Sequence, residues 1–264
     1  MTMQRNAQLF CTALGALAFT ACTKEIDLDL DDKSNKVVIE ASVNEGTGPH
    51  TVRLSRSVAF DTPNDFPAIS NATVVLSDDQ GNSEQLIETS PGMYSSSTLA
   101  GVQGRNYQLS TTVSGTTYTA QCRMPPAVPL DTVRIDSLFV FGTYEKLIFG
   151  ACSDPVGTGN NYRYVVRVNG ERLKGFVLQN DLLEDGHTIE QPLNFGDDAK
   201  LYSGDLVEVT MECITAEVYR YFFSHAQNIG GDTSAPSDPP SNISGGALGY
   251  FSAHTASTKN TVVP

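Results

Sequence analysis

Val207-Glu208-Val209-Thr210-Met211-Glu212-Cys213 is apolar at every odd position and polar at every even one. Successive side chains of a strand point to opposite faces, so the segment predicts a strand with one face in a core and Cys213 on that face. Upstream, Tyr162 to Val168 and Arg172 to Leu178 flank Asn169-Gly170. A type I′ turn needs positive φ at both central residues, which Asn tolerates and Gly adopts freely, so this pair predicts a two-residue hairpin. Thr132 to Phe141 and Tyr144 to Ala151 read as two further strands.

Downstream of Cys213 the period changes. Thr215 can cap the free amides of a helix that runs to about Ile229 and stops at Gly230-Gly231. Val218, Phe222, Ala226 and Ile229 fall on one face with Tyr219 and Phe223 beside them, a stripe wide enough to pack on a sheet. His225 reads as a surface position. Asp232 to Ser241, rich in Ser, Asp and Pro, reads as loop. In the final Asn242-Ile243-Ser244-Gly245-Gly246-Ala247-Leu248-Gly249-Tyr250-Phe251-Ser252-Ala253, Gly249 lets a neighbouring backbone come close and Tyr250-Phe251 can close a strand into the core. A polar stretch and Val262-Val263 follow.

Working towards the N-terminus, Met124-Pro125-Pro126-Ala127-Val128-Pro129 is the clearest internal boundary. Prolines remove ladder donors and favour extended backbone, which makes a semi-rigid linker. Before it, Val37 to Val43, His50 to Ser57, Ala72 to Leu76, Ser83 to Glu88, Tyr107 to Val113 and Thr116 to Cys122 read as short strands. Asp78-Asp79-Gln80-Gly81-Asn82, Ser90-Pro91-Gly92 and Ser114-Gly115 supply the turns. The expected architecture is mainly β. An Ig-like or transthyretin-like antiparallel β-sandwich over 36-124 and a linker over 125-131 precede a second β-rich, sandwich-like domain over 132-264 that carries one α-helix.

The N-terminus carries a different signal. Leu9 to Ala21 is an uncharged run of thirteen residues after the single base Arg5. A spanning helix needs about 20 apolar residues, so this run is too short to cross a bilayer and reads as a secretory signal peptide over 1-21. It ends Phe19-Thr20-Ala21-Cys22, which resembles the bacterial lipobox, although Leu is usual where Phe19 stands. Only cysteine serves there, because its sulfur takes the diacylglyceryl group as a thioether; Cys22 is therefore the expected lipidation site and membrane anchor, and Cys11 leaves with the leader. Each buried methylene of an acyl chain contributes about 0.8 kcal/mol, so more than one chain makes a stable anchor. The following Thr23-Lys24-Glu25-Ile26-Asp27-Leu28-Asp29-Leu30-Asp31-Asp32 reads as an acidic tether over 22-35; a lysine followed by acids beside the lipidated cysteine resembles the surface-export signal of Bacteroidetes lipoproteins. A calcium loop there would need a glycine-centred turn, and none occurs.

The net charge of −13 over 264 residues repels phosphate backbones and anionic headgroups, so nucleic acid is not an expected partner and attachment must come from the lipid. The acid excess favours solubility or cationic ligands. Cys122, Cys152 and Cys213 are an odd, widely spaced set. They read as buried small hydrophobes, with a Cys122–Cys152 bridge permitted in an oxidising compartment. None of His50, His187, His225 and His254 forms a His-Glu-x-x-His pair, no Gly-x-Ser-x-Gly elbow or phosphate loop occurs, and no metal ligands, cofactor or catalytic residues are expected. Asp154, in the glycine-rich loop Ser153 to Asn161, is expected to bond its own backbone. Long loops at Asp61–Ser70, Asn180–Asn194 and Gly230–Ser241 are the candidate binding surfaces.

Four stretches together carry a family resemblance: CTKEIDLDL from Cys22, VRLSRSVAF from Val52, YTAQCRMPPAVPLDTV from Tyr118 and PPSNISGGALGYFSAHT from Pro239. The chain resembles the Bacteroidetes outer-membrane lipoproteins catalogued as domain of unknown function 4249. That resemblance brings no catalytic residue. It implies a non-enzymatic, surface-exposed lipoprotein of the outer membrane that acts as a binding or accessory component of a TonB-dependent nutrient uptake system. An envelope hydrolase with a site assembled from dispersed acids, and a purely structural envelope lipoprotein, are the alternatives.

Overall fold

The computed structural model describes residues 35–59, 65–140, 142–230 and 238–264. Among them the chain forms β1 (Val37–Asn44), β2 (Thr51–Arg56), β3 (Thr73–Asp78), β4 (Ser83–Gln85), β5 (Ile87–Ser90), β6 (Met93–Ser95), β7 (Asn106–Val113), β8 (Thr116–Arg123), β9 (Thr132–Val140), β10 (Thr143–Ser153), β11 (Asn161–Val168), β12 (Glu171–Arg172), β13 (Val177–Asn180), β14 (Thr188–Leu193), β15 (Leu206–Ile214), helix α1 (Ala216–Gly230), β16 (Ile243–Ser244) and β17 (Leu248–Val262). The protein is mainly β, with several antiparallel sheets in a sandwich arrangement. A nine-stranded sheet runs β12-β11-β15-β17-β1-β2-β6-β5, with β13 also on β11; a five-stranded sheet runs β16-β8-β7-β3-β4 and a three-stranded one β14-β10-β9.

The turn chemistry read from the sequence is present. Asn169 and Gly170 have φ of 52° and 86°, and Ser114 and Gly115 have 48° and 84°, so both hairpins close on residues in the left-handed region. The alternation in β15 is also as expected, with Val207, Val209, Met211 and Cys213 all buried. The return strand after the Asp78–Asn82 turn differs. Ser83–Gln85 pairs with β3 in the five-stranded sheet, and Ile87–Ser90 pairs with β6 in the nine-stranded one. Leu86, buried between them, is where the chain changes sheet.

Two apolar cores form. One joins Ile39, Val43 and Leu54 of the large sheet to Leu76, Tyr107 and Leu109 of the five-stranded sheet. It also takes in Ile214, Val218, Phe222, Phe251 and Ala253, so it draws on chain far beyond the proline-rich linker. The other joins Tyr162, Tyr164, Val209 and Met211 to Ile148, Cys152, Ile189 and Leu193 of the three-stranded sheet. The connection between them is β17. Its first half pairs in parallel with β1 and its second half in antiparallel with β15, and it continues through the polar stretch after Ala253. That parallel pair is the exception to the expected antiparallel ladder. Its closest approach is at Gly249 (φ +99°), where an added Cβ would lie 2.1 Å from the carbonyl oxygen of Ile39. Lys33–Pro264 forms one compact unit.

Helix α1 covers part of the large sheet. Tyr219 donates its backbone N–H to the Thr215 carbonyl oxygen at 2.9 Å, which begins the helix where the capping residue predicts. The inner face is narrower than the sequence stripe. Val218 and Phe222 are buried, whereas Ala226 and Phe223 are exposed, and the sheet-facing side is completed by Tyr221 and His225 instead. His225 is accordingly half-buried, not a surface position; its Nδ1 is buried without a partner.

Candidate functional site

Three places gather polar chemistry. The first lies under α1. Arg163 of β11 and Glu212 of β15 are cross-strand neighbours whose side chains pair at 2.5 and 2.6 Å. The Arg163 guanidinium stacks 4.1 Å from the centre of the Phe222 ring, tying the helix to the sheet. His254 of β17 sits 3.8 Å from the other Glu212 oxygen, and its Nδ1 is 3.1 Å from the Ser252 hydroxyl. Burial pushes the His254 imidazole below its ordinary pKa against the attraction of Glu212, and Arg163 and His50 push the same way as burial. It is therefore neutral near pH 7. None of Arg163, Glu212 and His254 lines the cavity beside them.

Beside them a cavity of about 340 Å³ opens between α1, β1, β2 and the Asp238–Pro239 segment, with Glu40, Arg53, Ser55, Tyr221 and His225 in its wall. Burial lowers the His225 pKa against a smaller pull from Glu40. A hydrolytic relay needs a nucleophile bonded to a base and the base bonded to an orienting group. Here Nδ1 of His225 has no partner and Glu40 pairs instead with Arg53 at 3.6 Å. The cavity brings the residue types together without linking them.

The third place is where the loop 154–160 meets the loop 181–187. Asp154, Asp181 and Asp185 present carboxylate oxygens within 4.8 Å of one another, and the first two are buried. An all-oxygen set of this kind suits a hard cation. The donors present already explain it: Asp154 accepts from the Tyr162 hydroxyl and from Gly186 N–H at 3.2 Å, Asp181 from the N–H groups of Gly159 and Asn160 at 2.8 and 2.9 Å, and Asp185 from Gly157 N–H at 2.6 Å. The expectation that Asp154 turns on its own backbone is thus corrected: its bonds cross to β11 and to the facing loop. The expected Asn180–Asn194 loop is shorter as well, because Val177–Asn180 and Thr188–Leu193 are strands. Among the residues that these braced loops expose, beside Thr158 and His187, are three large aliphatic ones. Val156 is 89%, Leu182 72% and Leu183 97% exposed.

Sequence reading named none of the aspartates as a group, because 154 and 181 are brought together by the pairing of β11 with β13 and of β10 with β14. Cys22, and the candidate loop segments 61–64 and 231–237, lie outside the described residues. Cys122, Cys152 and Cys213 are buried and free, so the permitted Cys122–Cys152 bridge is not made. Burial pushes the Cys152 thiol up to about 11. Among the described residues no helix is long and apolar enough to cross a membrane.

A family model described as "Domain of unknown function (DUF4249)" matches residues 23–260. No curated protein matches the chain. Among solved structures, the adhesin InvE of Yersinia pseudotuberculosis is similar over 68% of this chain and 57% of its own, at 13% identity and a TM-score of 0.22.

Proposed function

The chain belongs to the family described as a domain of unknown function (DUF4249), and we propose that it works as a non-enzymatic binding or accessory lipoprotein of an outer-membrane TonB-dependent uptake system, anchored through lipid on Cys22. The observation that carries this reading is the surface at Val156, Leu182 and Leu183. Large aliphatic side chains stand almost wholly in solvent on two loops that buried aspartates hold in place. Water penalises exposed aliphatic surface, and a rigid loop loses little entropy on docking, so such a patch is suited to a protein partner. The lipobox and the acidic tether supply the attachment that an acid-rich body cannot make by charge.

Two experiments test it. Cys22→Ser should leave the protein unprocessed or released from membranes; full maturation and membrane retention of this variant would remove the anchor. Affinity purification from detergent-solubilised native membranes should bring down a TonB-dependent transporter, and Leu182→Ser/Leu183→Ser should lose it. Repeated recovery of the wild-type chain alone would reject the accessory role and leave the purely structural reading.

A further inference from the structure

The formal charge of the chain hides a local inversion. Among the described residues, Lys36, Arg123, Arg172, Lys174, Lys200 and Lys259 have no side-chain ion pair or hydrogen bond. Three of these six, Arg172, Lys174 and Lys200, line one open cavity of about 550 Å³. It lies between the Asn169-Gly170 hairpin and the loop before β15. Thirty acids against seventeen bases make such a grouping of unpaired cations unexpected by composition.

The frame around these cations is rigid. Asn169 donates its side-chain amide to Asp205 at 2.9 Å and accepts from Leu206 N–H at 2.9 Å, and the other Asp205 oxygen accepts from Tyr202 N–H at 2.7 Å. The Asn169 side chain and then the Tyr202 amide hold the Asp205 carboxyl below its usual range. Both oxygens of Asp205 are thus engaged in bracing the two loops, although its charge remains in the wall. Among the described residues Glu171 is the other acid in this wall, so three cations there face two acids, one of them committed. Tyr202, 67% exposed, is shared with a neighbouring cavity of about 590 Å³ that also takes in Lys200 and the apolar Phe195 and Leu201.

We propose that the Arg172–Lys174–Lys200 cavity binds a small multivalent anion, its acidic groups paired with the three cations and its body lying against Tyr202. The volume suits a small ligand rather than a polymer. A planar guanidinium takes a carboxylate or phosphate with two parallel hydrogen bonds, and the two ammonium groups act as point charges. The inference stands apart from the transporter reading: neither Cys22 nor the apolar loops take part.

Titration calorimetry of the mature soluble form at low ionic strength tests it with three probes: myo-inositol hexakisphosphate, trigalacturonic acid and the neutral maltotriose. Binding of either anion but not of the neutral sugar is expected, and the arm that binds identifies the acid as phosphate or carboxylate. Arg172→Gln/Lys174→Gln/Lys200→Gln should weaken it by about tenfold or more, and Lys200→Gln alone by less. Lys259→Gln, a charge removed elsewhere, should leave it unchanged. No heat with either anion, or equal weakening by Lys259→Gln, would overturn the proposal. The exposed positions of Lys174 and Lys200 keep the fold out of the comparison, and an unchanged melting temperature checks that.

Discussion

Arg163 and Glu212 illustrate how a residue's meaning depends on what covers it. In the sequence Glu212 is a polar member of an alternating strand and Arg163 a polar residue of a hairpin strand; in the fold α1 lies over them, and their side chains are about nine-tenths buried. A buried charge whose partner is removed keeps its desolvation cost without the compensating attraction. Glu212→Ala is therefore expected to cost about 3–5 kcal/mol. Replacing both by apolar groups, Arg163→Met with Glu212→Leu, should cost far less. Urea denaturation of the two variants measures this, and equal losses for the single and the double change would contradict it. The buried histidines have a pH signature. His50, His225 and His254 all have pKa values lowered from 6.5, burial being the largest cause in each. Below pH 6.5 the unfolded chain takes up protons that the folded chain does not. Stability from these groups is then complete above about pH 6.5 and falls as the pH drops towards their folded values. Glu84 and Glu88, held at about 2 by hydrogen bonds to Leu99 and Ser97 and to Asn71, remove further stability as the pH falls from 4.5 towards 2. Thermal melts from pH 8 to pH 3 should therefore show two successive declines, and a flat profile between pH 7 and 5 would refute the histidine part.

At the scale of elements, the hairpins at Asn169-Gly170 and Ser114-Gly115 and the alternating β15 were legible because turn chemistry and period are local properties. So was the start of α1 at Thr215. The inner face of α1 was not, since which residues of an amphipathic helix are covered depends on where the sheet edge lies; Tyr221 and His225 go inward and Ala226 outward. Nor was the length of β17. In its second half Thr258, Lys259 and Asn260 are exposed in succession, so that part meets solvent on both faces and no hydrophobic period marks it. Gly249 was legible as a point of close approach, but its neighbour was not. Gly249→Ala places a methyl group against the Ile39 carbonyl at a φ that L-residues avoid, and should separate β1 from β17. Gly81→Ala, at φ +85° with open space around it, carries the backbone strain alone. The first variant should be insoluble or molten by near-UV circular dichroism, and the second folded with a modest loss. Similar behaviour of the two would show that the β1–β17 contact does not limit the fold.

At the scale of the whole molecule, the proline-rich segment coincides with a change of core, since Met124 belongs to the first and Val128 to the second. What the linear order concealed is that the first core is completed by residues 214–253. The aspartate cluster and the Arg172–Lys174–Lys200 cavity were hidden for the same reason, being assembled from segments well separated in the chain. Fragment 36–124 lacks Ile214, Phe222, Phe251 and Ala253 of its own core, and β1 in it has no parallel neighbour. Expressed alone, it should give the narrow amide shift range of an unfolded chain and be digested rapidly by trypsin; a dispersed, protease-resistant fragment would disprove this.

Strand β1 therefore waits for a partner far along the chain, Val38 pairing with Leu248. Until residues 248–262 pair with it, the N-terminal half has a sheet edge where its neighbour belongs and a core lacking one wall. Folding of residues 37–124 is thus tied to a segment far along the chain, and the first core closes only when that segment takes its place beside β1.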